Sequence, residues 1–555
     1  MFLPAPSPRL SGAGLWHARR RFFIDKMNGF QQIGGRSGGP ARQKGPSMHE
    51  ANLTVGGTMR RTARIAGMVL ALALVPVLAW ASGVALTGIG SRATALGGNY
   101  RAIAADWSAA YWNPAGLAQI QGLQAGFDLE VIKVRGYLTP AAWGNLGRFS
   151  VFVDSEVASK NRTFLVPAGG VGIRSGRFAF GLSVFAPFGL GATWDLLETQ
   201  GKFESSYPKY DYDDDLKVID IHPTAAVQLR DNFSIGAGLS IVYSSIMIQK
   251  PGFVPNPYLN PPDPSLRAFV NVAKFAEKGF LQSPYTHFLV NTKLDGDGWG
   301  WGANAGAIWK PFPTLSIGLA GQWYHDLSLD GKINAALYFP YNQQAHQTIT
   351  ALIKPTMDQM LQRGQITQEQ YLGVVKAYSG ERVSVYEGEK GSATVPLPAT
   401  VGIGFAYTGI ENTTLVADVS WTQWSSWDVI RIEMDNGQVS ELREQWKNTV
   451  RIGAGIERNF GPVVGRLAWY TEPEAPPAAT MTPTIPDINR RHVVIAGVGI
   501  PFGSLRLNIH AEKFFTPNRT VKEWLLSPDQ TDYDNVAGKY RLTTFTVMVG
   551  LDYGL

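Results

Sequence analysis

The sequence predicts an all-β fold, a transmembrane antiparallel β-barrel of about fourteen strands. Segments that alternate apolar and polar residues recur from about residue 123 to the C-terminal end, and several are ten residues or longer. Tight turns such as 230–232 and 503–504 alternate with much longer connections, as in barrels with short periplasmic turns and long outer loops. No stretch after residue 81 approaches the roughly 20 apolar residues of a transmembrane helix, so we expect any membrane span to consist of strands.

The composition of the chain excludes several functional classes. Its 555 residues include no cysteine, which excludes disulfides and cysteine-based metal sites or nucleophiles. The formal net charge of +6 comes from residues 1–81, which hold 11 of the 50 basic and 2 of the 44 acidic residues. The remaining 39 basic and 42 acidic residues form no concentrated basic face of the kind that binds nucleic acid. We expect no nucleic-acid partner and no cofactor or metal.

The N-terminal residues are interpreted as non-structural and targeting segments. Residues 1–58 are rich in Arg, Gly and Pro without periodicity, and they are interpreted as an over-extended or non-structural start. Residues 59–81 have the three parts of a cleavable secretory signal peptide, namely a basic start, about 14 apolar residues and an Ala79-Trp80-Ala81 cleavage site. An uncleaved membrane anchor is the alternative, but the apolar stretch is short for one.

Residues 82–122 differ from everything that follows them. They are rich in small residues, carry several glycines and contain a turn signal at Asn113-Pro114. Such a segment cannot bury enough apolar surface to fold alone. We therefore expect it to be held inside a larger wall, which residues 123–555 would form.

The strand pattern is clearest near the C-terminal end, where one face of the last segment is apolar and the other mostly polar or small. The apolar face consists of Phe545, Val547, Val549, Leu551 and Tyr553. Tryptophans lie near many strand ends, as in interfacial girdles. They are Trp299, Trp301, Trp309, Trp323, Trp421, Trp424, Trp427, Trp446 and Trp469. The predicted strands are 123–135, 164–174, 177–194, 217–229, 233–248, 298–310, 314–337, 393–408, 413–430, 446–459, 463–472, 491–501, 504–516 and 541–553.

Two predicted outer loops are long enough to carry helices. In 249–297 a proline-rich run leads into residues 265–281, whose apolar residues share one helical face. In 338–392 we predict a helix over 346–363, followed by a second helix that begins with a capping box at Thr367. The apolar faces of these helices either pack on each other or line a landing groove for a hydrophobic ligand.

Several short motifs, in order along the whole chain after residue 81, resemble the FadL-like (OmpP1/FadL/TodX) outer-membrane transporters. In the N-terminal segment the motifs are Gly97-Gly98, Ala105-Asp106 and Asn113-Pro114-Ala115-Gly116-Leu117. Further motifs lie at 186–190, 219–223, 231–238, 397–401, 418–425, 446–449 and 483–487. The resemblance implies a fourteen-stranded barrel in the bacterial outer membrane, plugged by residues 82–122 as a hatch. It also implies contact with outer-membrane lipid and insertion by the barrel-assembly machinery.

The resemblance further implies passive uptake of hydrophobic molecules, with capture by the outer loops, rearrangement of the hatch and sideways exit beside a kinked third strand. The hatch turn of the family maps to Asn113, Pro114 and Ala115. The kink is predicted from residues of the third strand that lack a ladder donor or permit a bulge; these are Pro187, Gly189 and Gly191. Alternatively, the strand ends at Pro187.

Long-chain fatty acids are the expected substrate, and neutral aromatic or aliphatic hydrocarbons are the alternative. A fatty-acid site should offer a cation to the carboxylate. The candidate cations face the lumen and are Arg451, Arg466 and Arg506, although lumen arginines also pair with lumen acids such as Asp418 and Glu512.

Two rival functions come from other classes. An outer-membrane hydrolase would need a nucleophile and a base together, and His222, His325 and His510 show no such spacing; we assign no catalytic residue. A general porin is disfavoured by residues 82–122, since porins of that kind fold a loop inward and lack an N-terminal hatch.

Overall fold

A computed structural model describes most of the chain after residue 84. The described residues are 85, 86, 88–142, 154–197, 199, 201–203, 207–259, 261, 264–282, 285–522 and 535–554. The predicted non-structural start, the predicted signal peptide and the first residues of the predicted hatch lie outside them.

Fourteen antiparallel strands of the described chain form one closed barrel wall, because the first strand pairs with the last. They are β1 (Leu123–Pro140), β3 (Arg162–Ser175), β4 (Phe178–Trp194), β5 (Tyr212–Arg230), β6 (Phe233–Pro255), β7 (His287–Phe312), β8 (Leu315–Tyr324), β11 (Thr400–Ile410), β12 (Thr413–Thr422), β15 (Thr449–Asn459), β16 (Val464–Glu472), β17 (Arg491–Phe502), β18 (Leu505–Phe515) and β20 (Gly538–Tyr553). Each predicted strand overlaps one of them, so the predicted fold class and strand number are confirmed.

Four further strands form a sheet that continues the outer half of β7 outside the wall. They are β9 (Leu327–Tyr338), β10 (Arg382–Val395), β13 (Val429–Met434) and β14 (Val439–Arg443). The predicted strands 314–337, 393–408 and 413–430 each join a wall strand to part of this sheet, and in this respect they are wrong. The breaks fall at His325-Asp326, at Pro396-Leu397-Pro398 and at Gln423–Asp428, where the chain turns out of the wall. Two short strands, β2 (Val157–Ala158) and β19 (Arg519–Val521), pair with β1 and β20.

The two faces of the wall have the expected polarity. Outward-facing side chains such as Phe127, Phe180 and Leu319 are more than half exposed, as a lipid-facing surface requires. Inward-facing polar residues are buried. The predicted aromatic girdle is confirmed at Trp299 and Trp301, but three tryptophans predicted to belong to it are buried inside instead, and these are Trp424, Trp427 and Trp446.

The two long outer loops pack on each other. The first carries helix α3 (Pro264–Val272), and the second carries α4 (Gln343–Leu352), α5 (Lys354–Gln362) and α6 (Gln368–Val375). Helices α4 and α5 replace the single predicted helix, whereas the predicted capping box between Thr367 and Gln370 is present. Within the described residues, no helix has the length and apolar character needed to cross a membrane.

An aromatic cluster joins these loops. The hydroxyl of Tyr258 donates to the carbonyl of Val374 (2.9 Å), and that of Tyr378 donates to the carbonyl of Phe280 (2.6 Å). The rings of Phe275 and Tyr378 lie 6.1 Å apart. Of the two alternatives for the apolar helical faces, the structure supports packing of the loops on each other.

Candidate functional site

The described part of the hatch, residues 85–122 without residue 87, lies inside the barrel and is mostly buried. It contains α1 (Ser91–Ala95), α2 (Ala109–Trp112) and a 3₁₀ helix (Pro114–Gln119). The 3₁₀ helix contacts β5, β6 and β7, so the wall holds the segment that could not fold alone.

The side chain of Asn113 connects three parts of the site. Its Nδ2 donates to the carbonyl of Arg101 (2.8 Å) in the hatch and to that of Ala307 (3.1 Å) in β7, and its Oδ1 accepts from the backbone N–H of Ala115 (3.2 Å). The residue is fully buried. Because an amide alone supplies both donors and acceptor here, Asn113 both caps the 3₁₀ helix and seats it on the wall.

Two glycines of the wall leave room for the hatch turn, which consists of residues 113–115. A Cβ atom at Gly236 would lie 2.5 Å from the carbonyl carbon of Pro114 and 2.6 Å from the nitrogen of Ala115, and one at Gly306 would overlap Oδ1 of Asn113. The predicted hatch residues therefore lie together, pressed against β6 and β7, where larger wall residues would displace them.

The three predicted arginines lie toward the hatch and not on the cavity described below. Arg466 is buried and binds Glu457 (2.7 Å), which also binds Arg92 of the hatch (2.7 Å). Arg451 donates to the carbonyl of Gly97 and stacks 3.7 Å from the ring centroid of Tyr470. Arg466 therefore pairs with an acid, as the alternative predicted, but the acid is Glu457 and not Asp418 or Glu512, and Arg451 binds a backbone carbonyl instead. We call the group of Arg92, Glu457 and Arg466 the hatch clamp.

Arg506 is the third predicted arginine, and it is partly buried near the same group of residues. Its Nε atom has no hydrogen-bond partner among the described residues. The register places it opposite Asp552 of β20 and Pro501 of β17, at the end of the wall that carries the short turns. None of the three predicted arginines lines the cavity.

We expect Glu457→Ala to loosen the hatch. Removing the shared carboxylate leaves two arginines, Arg92 and Arg466, without their ion pair, which costs about 3–5 kcal/mol when such groups are buried. Proteoliposomes that contain the variant should therefore swell faster in arabinose than wild type does. The control is Glu441→Ala, which removes an exposed pair with Arg443, and swelling equal for both variants would contradict the clamp.

Strand β4, the third strand of the wall, carries a bulge at the predicted kink. Its register with β5 shifts between Phe185 and Phe188, so Ala186 and Pro187 lie opposite a single residue, Ile219. The strand then continues to Trp194, so the alternative in which it ends at Pro187 is wrong.

The bulge coincides with a separation of β4 from β3, which we call the β3–β4 window. The two strands pair from Gly169 and Val184 to the short turn that joins them. Beyond Gly169, residues 162–168 of β3 pair with β1 alone. The window is closed at the top, where the N–H of Lys160 donates to the carbonyl of Thr193 (2.9 Å).

Side chains and the start of the hatch border the window. The ring of Phe164 reaches from β3 to Gly191 of β4, where a Cβ atom would lie 2.7 Å away. On the inner side, the N–H of Leu86 donates to the carbonyl of Pro187 (2.9 Å), and Ala85 forms a bridge with Phe188. The first described residues of the hatch therefore lie at the strand edge that β3 has left unpaired.

A cavity of about 650 Å³ opens at the window. Its lining includes outward-facing Leu165 and Val184, which are exposed, and inward-facing Phe185 and Phe188, which are buried. Predicted kink residues Gly189 and Gly191 also line it. The cavity therefore joins the inside of the barrel to its lipid-facing surface.

The cations on the cavity lining already have acidic partners. Arg491 binds Glu472 (3.0 Å) and Lys217 binds Asp215 (3.2 Å). The carboxylate of Asp487, in an outer loop, accepts from the N–H of Ala475 (2.9 Å), and burial raises its pKa well above the usual range. The lining thus offers acids and paired cations to a ligand.

A buried histidine below the window has the residue types of a hydrolase but not the geometry. Ser240 Oγ and Asp220 Oδ1 both contact Nδ1 of His222 (3.1 and 3.4 Å), whereas a nucleophile and an orienting acid must use opposite ring nitrogens. The other nitrogen contacts Asn304 (3.1 Å), whose amide donates to the hatch carbonyl of Ala110 (2.6 Å). This network ties the hatch to the wall.

Sequence reasoning missed three residues of the site. Pro167 lies in β3 at the window, and its lack of an N–H was a signal comparable to that of Pro187. Glu130, a buried acid on the cavity, was visible only as one of several polar residues in β1. Phe164 gave no signal, because its role depends on its position opposite Gly191.

Comparisons with known proteins agree with this geometry. The family model for "Outer membrane protein transport protein (OMPP1/FadL/TodX)" matches residues 72–504. A structure of a FadL homologue from Pseudomonas aeruginosa is similar with a TM-score of 0.62 at 18% identity, covering 85% of this chain and 100% of that chain. No curated protein sequence matches the chain significantly.

Two structures of toluene transporters are also similar in fold. TodX from P. putida gives a TM-score of 0.57 at 15% identity, covering 86% of this chain and 99% of that one. TbuX from Ralstonia pickettii gives 0.54 at 15% identity, covering 85% and 99%.

Proposed function

The chain belongs to the OmpP1/FadL/TodX family of outer-membrane transport proteins, and on that premise we propose that it passes uncharged hydrophobic molecules across the outer membrane without energy input. The ligand enters the barrel from outside and leaves sideways into the bilayer through the β3–β4 window. The observation that carries the proposal is the cavity at the window, whose lining includes both buried residues inside the barrel and exposed residues on its lipid-facing surface.

The chemistry of the solute favours a sideways route. Releasing a hydrophobic molecule into the aqueous periplasm costs about 0.8 kcal/mol for each CH₂ group that becomes exposed to water. Passage through the window keeps the molecule in apolar surroundings, since Leu165 and Val184 border the outer side. Uptake can then proceed down a concentration gradient.

The charges on the cavity favour an uncharged ligand over the long-chain fatty acid expected from the sequence. A carboxylate would meet Asp215 on the lining, and it would find there no cation without an acidic partner among the described residues. The acids already paired with Arg491 and Lys217 would weaken the attraction of either cation for a ligand carboxylate. Neutral aromatic or aliphatic hydrocarbons, which were the alternative substrate, meet neither obstacle. Two proteins of similar fold are described as toluene transporters, in keeping with this choice.

The remaining expectations belong to the same proposal. The family consists of outer-membrane transport proteins and not of enzymes, and we assign no catalytic role to any residue of this chain. We propose that residues 59–81 direct export and are then cleaved, and that the assembly machinery inserts residues 123–555 around the hatch 82–122. The exposed apolar band of the wall would contact lipid.

Proteoliposomes containing the purified chain provide the test. We expect radiolabelled toluene to enter faster than into empty liposomes, laurate to enter more slowly than toluene, and arabinose to cause no swelling, because the hatch fills the lumen. Rapid swelling in arabinose would identify a general porin. Toluene entry equal to that of empty liposomes would contradict the proposed function.

A further inference from the structure

One polar group on the cavity lacks a protein partner. Glu130 of β1 lines the cavity and is only 2% exposed. Its Oε2 atom accepts no hydrogen bond from any residue that the structure describes. Arg491, Lys217 and Asp487, which share the lining, all have partners.

The surroundings hold this carboxyl group in place. A Cβ atom at Gly88 of the hatch would overlap Oε2 of Glu130, so the hatch backbone lies directly on the carboxyl group. The register places Glu130 opposite Met548 of β20, and Met548 opposite His510 of β18. His510 and Glu512 lie on the same inner face and are 2% and 1% exposed.

Neither neighbour supplies a hydrogen bond to Glu130. His510 Nε2 lies 3.4 Å from Oε1 of Glu512, and the carboxylate oxygens of Glu512 also lack hydrogen-bond partners in the described chain. A second acid beside Glu130 makes an anionic ligand unfavourable at this end of the cavity.

A buried polar atom without a partner carries a desolvation penalty, which a ligand can relieve by supplying a hydrogen bond. A site built in this way discriminates strongly against the isosteric ligand that lacks the polar group. The rest of the lining is largely apolar and includes Ile132 and Phe185.

We propose that Glu130 selects hydrophobic ligands that carry one hydroxyl group, such as alkylphenols and long-chain alcohols. The hydroxyl group hydrogen-bonds to the Glu130 carboxyl group while the apolar body occupies the cavity. An ammonium group would also fit the acids, but it would lose its hydration on entering the apolar cavity. This inference rests on the proposed function and names the substrate class of the same site.

The test compares p-cresol with p-xylene, which differ by a hydroxyl group in place of a methyl group. Binding of both to the purified full chain in detergent is measured by calorimetry for wild type, Glu130→Gln and Glu130→Leu. We expect wild type to bind p-cresol at least about tenfold more tightly than p-xylene, because only p-cresol satisfies the buried carboxyl group. Glu130→Leu should abolish that preference, whereas Glu130→Gln should keep part of it, since the amide still accepts a hydrogen bond.

The control variant is Glu156→Gln, which changes an exposed acid that pairs with Arg541 (2.6 Å) and does not line the cavity, and it should keep the wild-type preference. Heat-modifiable migration on gels verifies that each variant is folded. An unchanged preference in Glu130→Leu, or no preference in wild type, would overturn the inference while p-xylene binding and transport still support the proposed function. Failure of wild type to bind or transport either compound would overturn both.

Discussion

Deletion of Pro187 should reduce uptake of toluene by about tenfold or more, because it removes the one extra residue that bends β4 away from β3. Phe185 and Phe188 already pair with Asp220 and Val218 of β5. With one residue removed, a single residue would face Ile219 and the ladder would run without a break. Uptake is measured in proteoliposomes, and folding is verified by heat-modifiable migration on gels.

The matched control replaces a proline in another strand of the wall. Pro501 lies in β17, pairs with Arg506 of β18 and is exposed, so Pro501→Ala should leave uptake near the wild-type rate. A folded deletion variant with wild-type uptake would show that the bulge is not needed for transport.

Replacing Asn113 with alanine should lower toluene uptake several-fold and let arabinose pass, while the barrel remains folded. The change removes the Asn113 donor from the carbonyls of Arg101 and Ala307, and leaving the buried carbonyl of Arg101 unsatisfied costs about 1–3 kcal/mol. A displaced hatch would also withdraw Tyr111 from Phe185, whose rings lie 5.4 Å apart at the inner wall of the cavity. The double change of Asn113 and Pro114 to alanine should have at least the same effect.

Uptake and arabinose swelling are measured on the same proteoliposomes. The control, Asn459→Ala, removes an exposed asparagine whose Oδ1 accepts from the N–H of Gly461 (2.8 Å) in a periplasmic turn, and it should behave as wild type. If Asn113→Ala transports toluene at the wild-type rate and admits no sugar, the hatch turn has no part in the mechanism.

The wall could be predicted from the sequence because each of its strands has one lipid-facing and one lumen-facing side. In β18, for example, Ile509 is exposed whereas Asn508 and His510 are buried, as the alternation indicates. The outer sheet could not be predicted in the same way. Strands β9 and β10 also alternate, and alternation does not reveal whether the partner of a strand lies in the wall or beyond it.

The site was less predictable, because its parts come from distant positions in the chain. The glycines and proline of β4 indicated a bend, but the window also involves Pro167 of β3, which lies two residues from the end of the β3–β4 ladder, and only the register shows this. For Arg466, the alternation of the strand correctly predicted a side chain that faces the lumen. It could not indicate that the hatch residue Arg92 shares the same acid, Glu457.

The proposed exit can be tested most directly by closing the window reversibly. Because the chain has no cysteine, Phe164→Cys with Gly191→Cys places two unique thiols across the window, and a short bis-methanethiosulfonate can join them. The control pair is Phe460→Cys with Gly465→Cys, where a Cβ atom on the glycine would lie 3.0 Å from the ring at a periplasmic turn. We predict that cross-linking stops toluene uptake only in the window pair and that reduction restores it. Wild-type uptake by a fully cross-linked window pair, established by mass spectrometry, would contradict exit between β3 and β4.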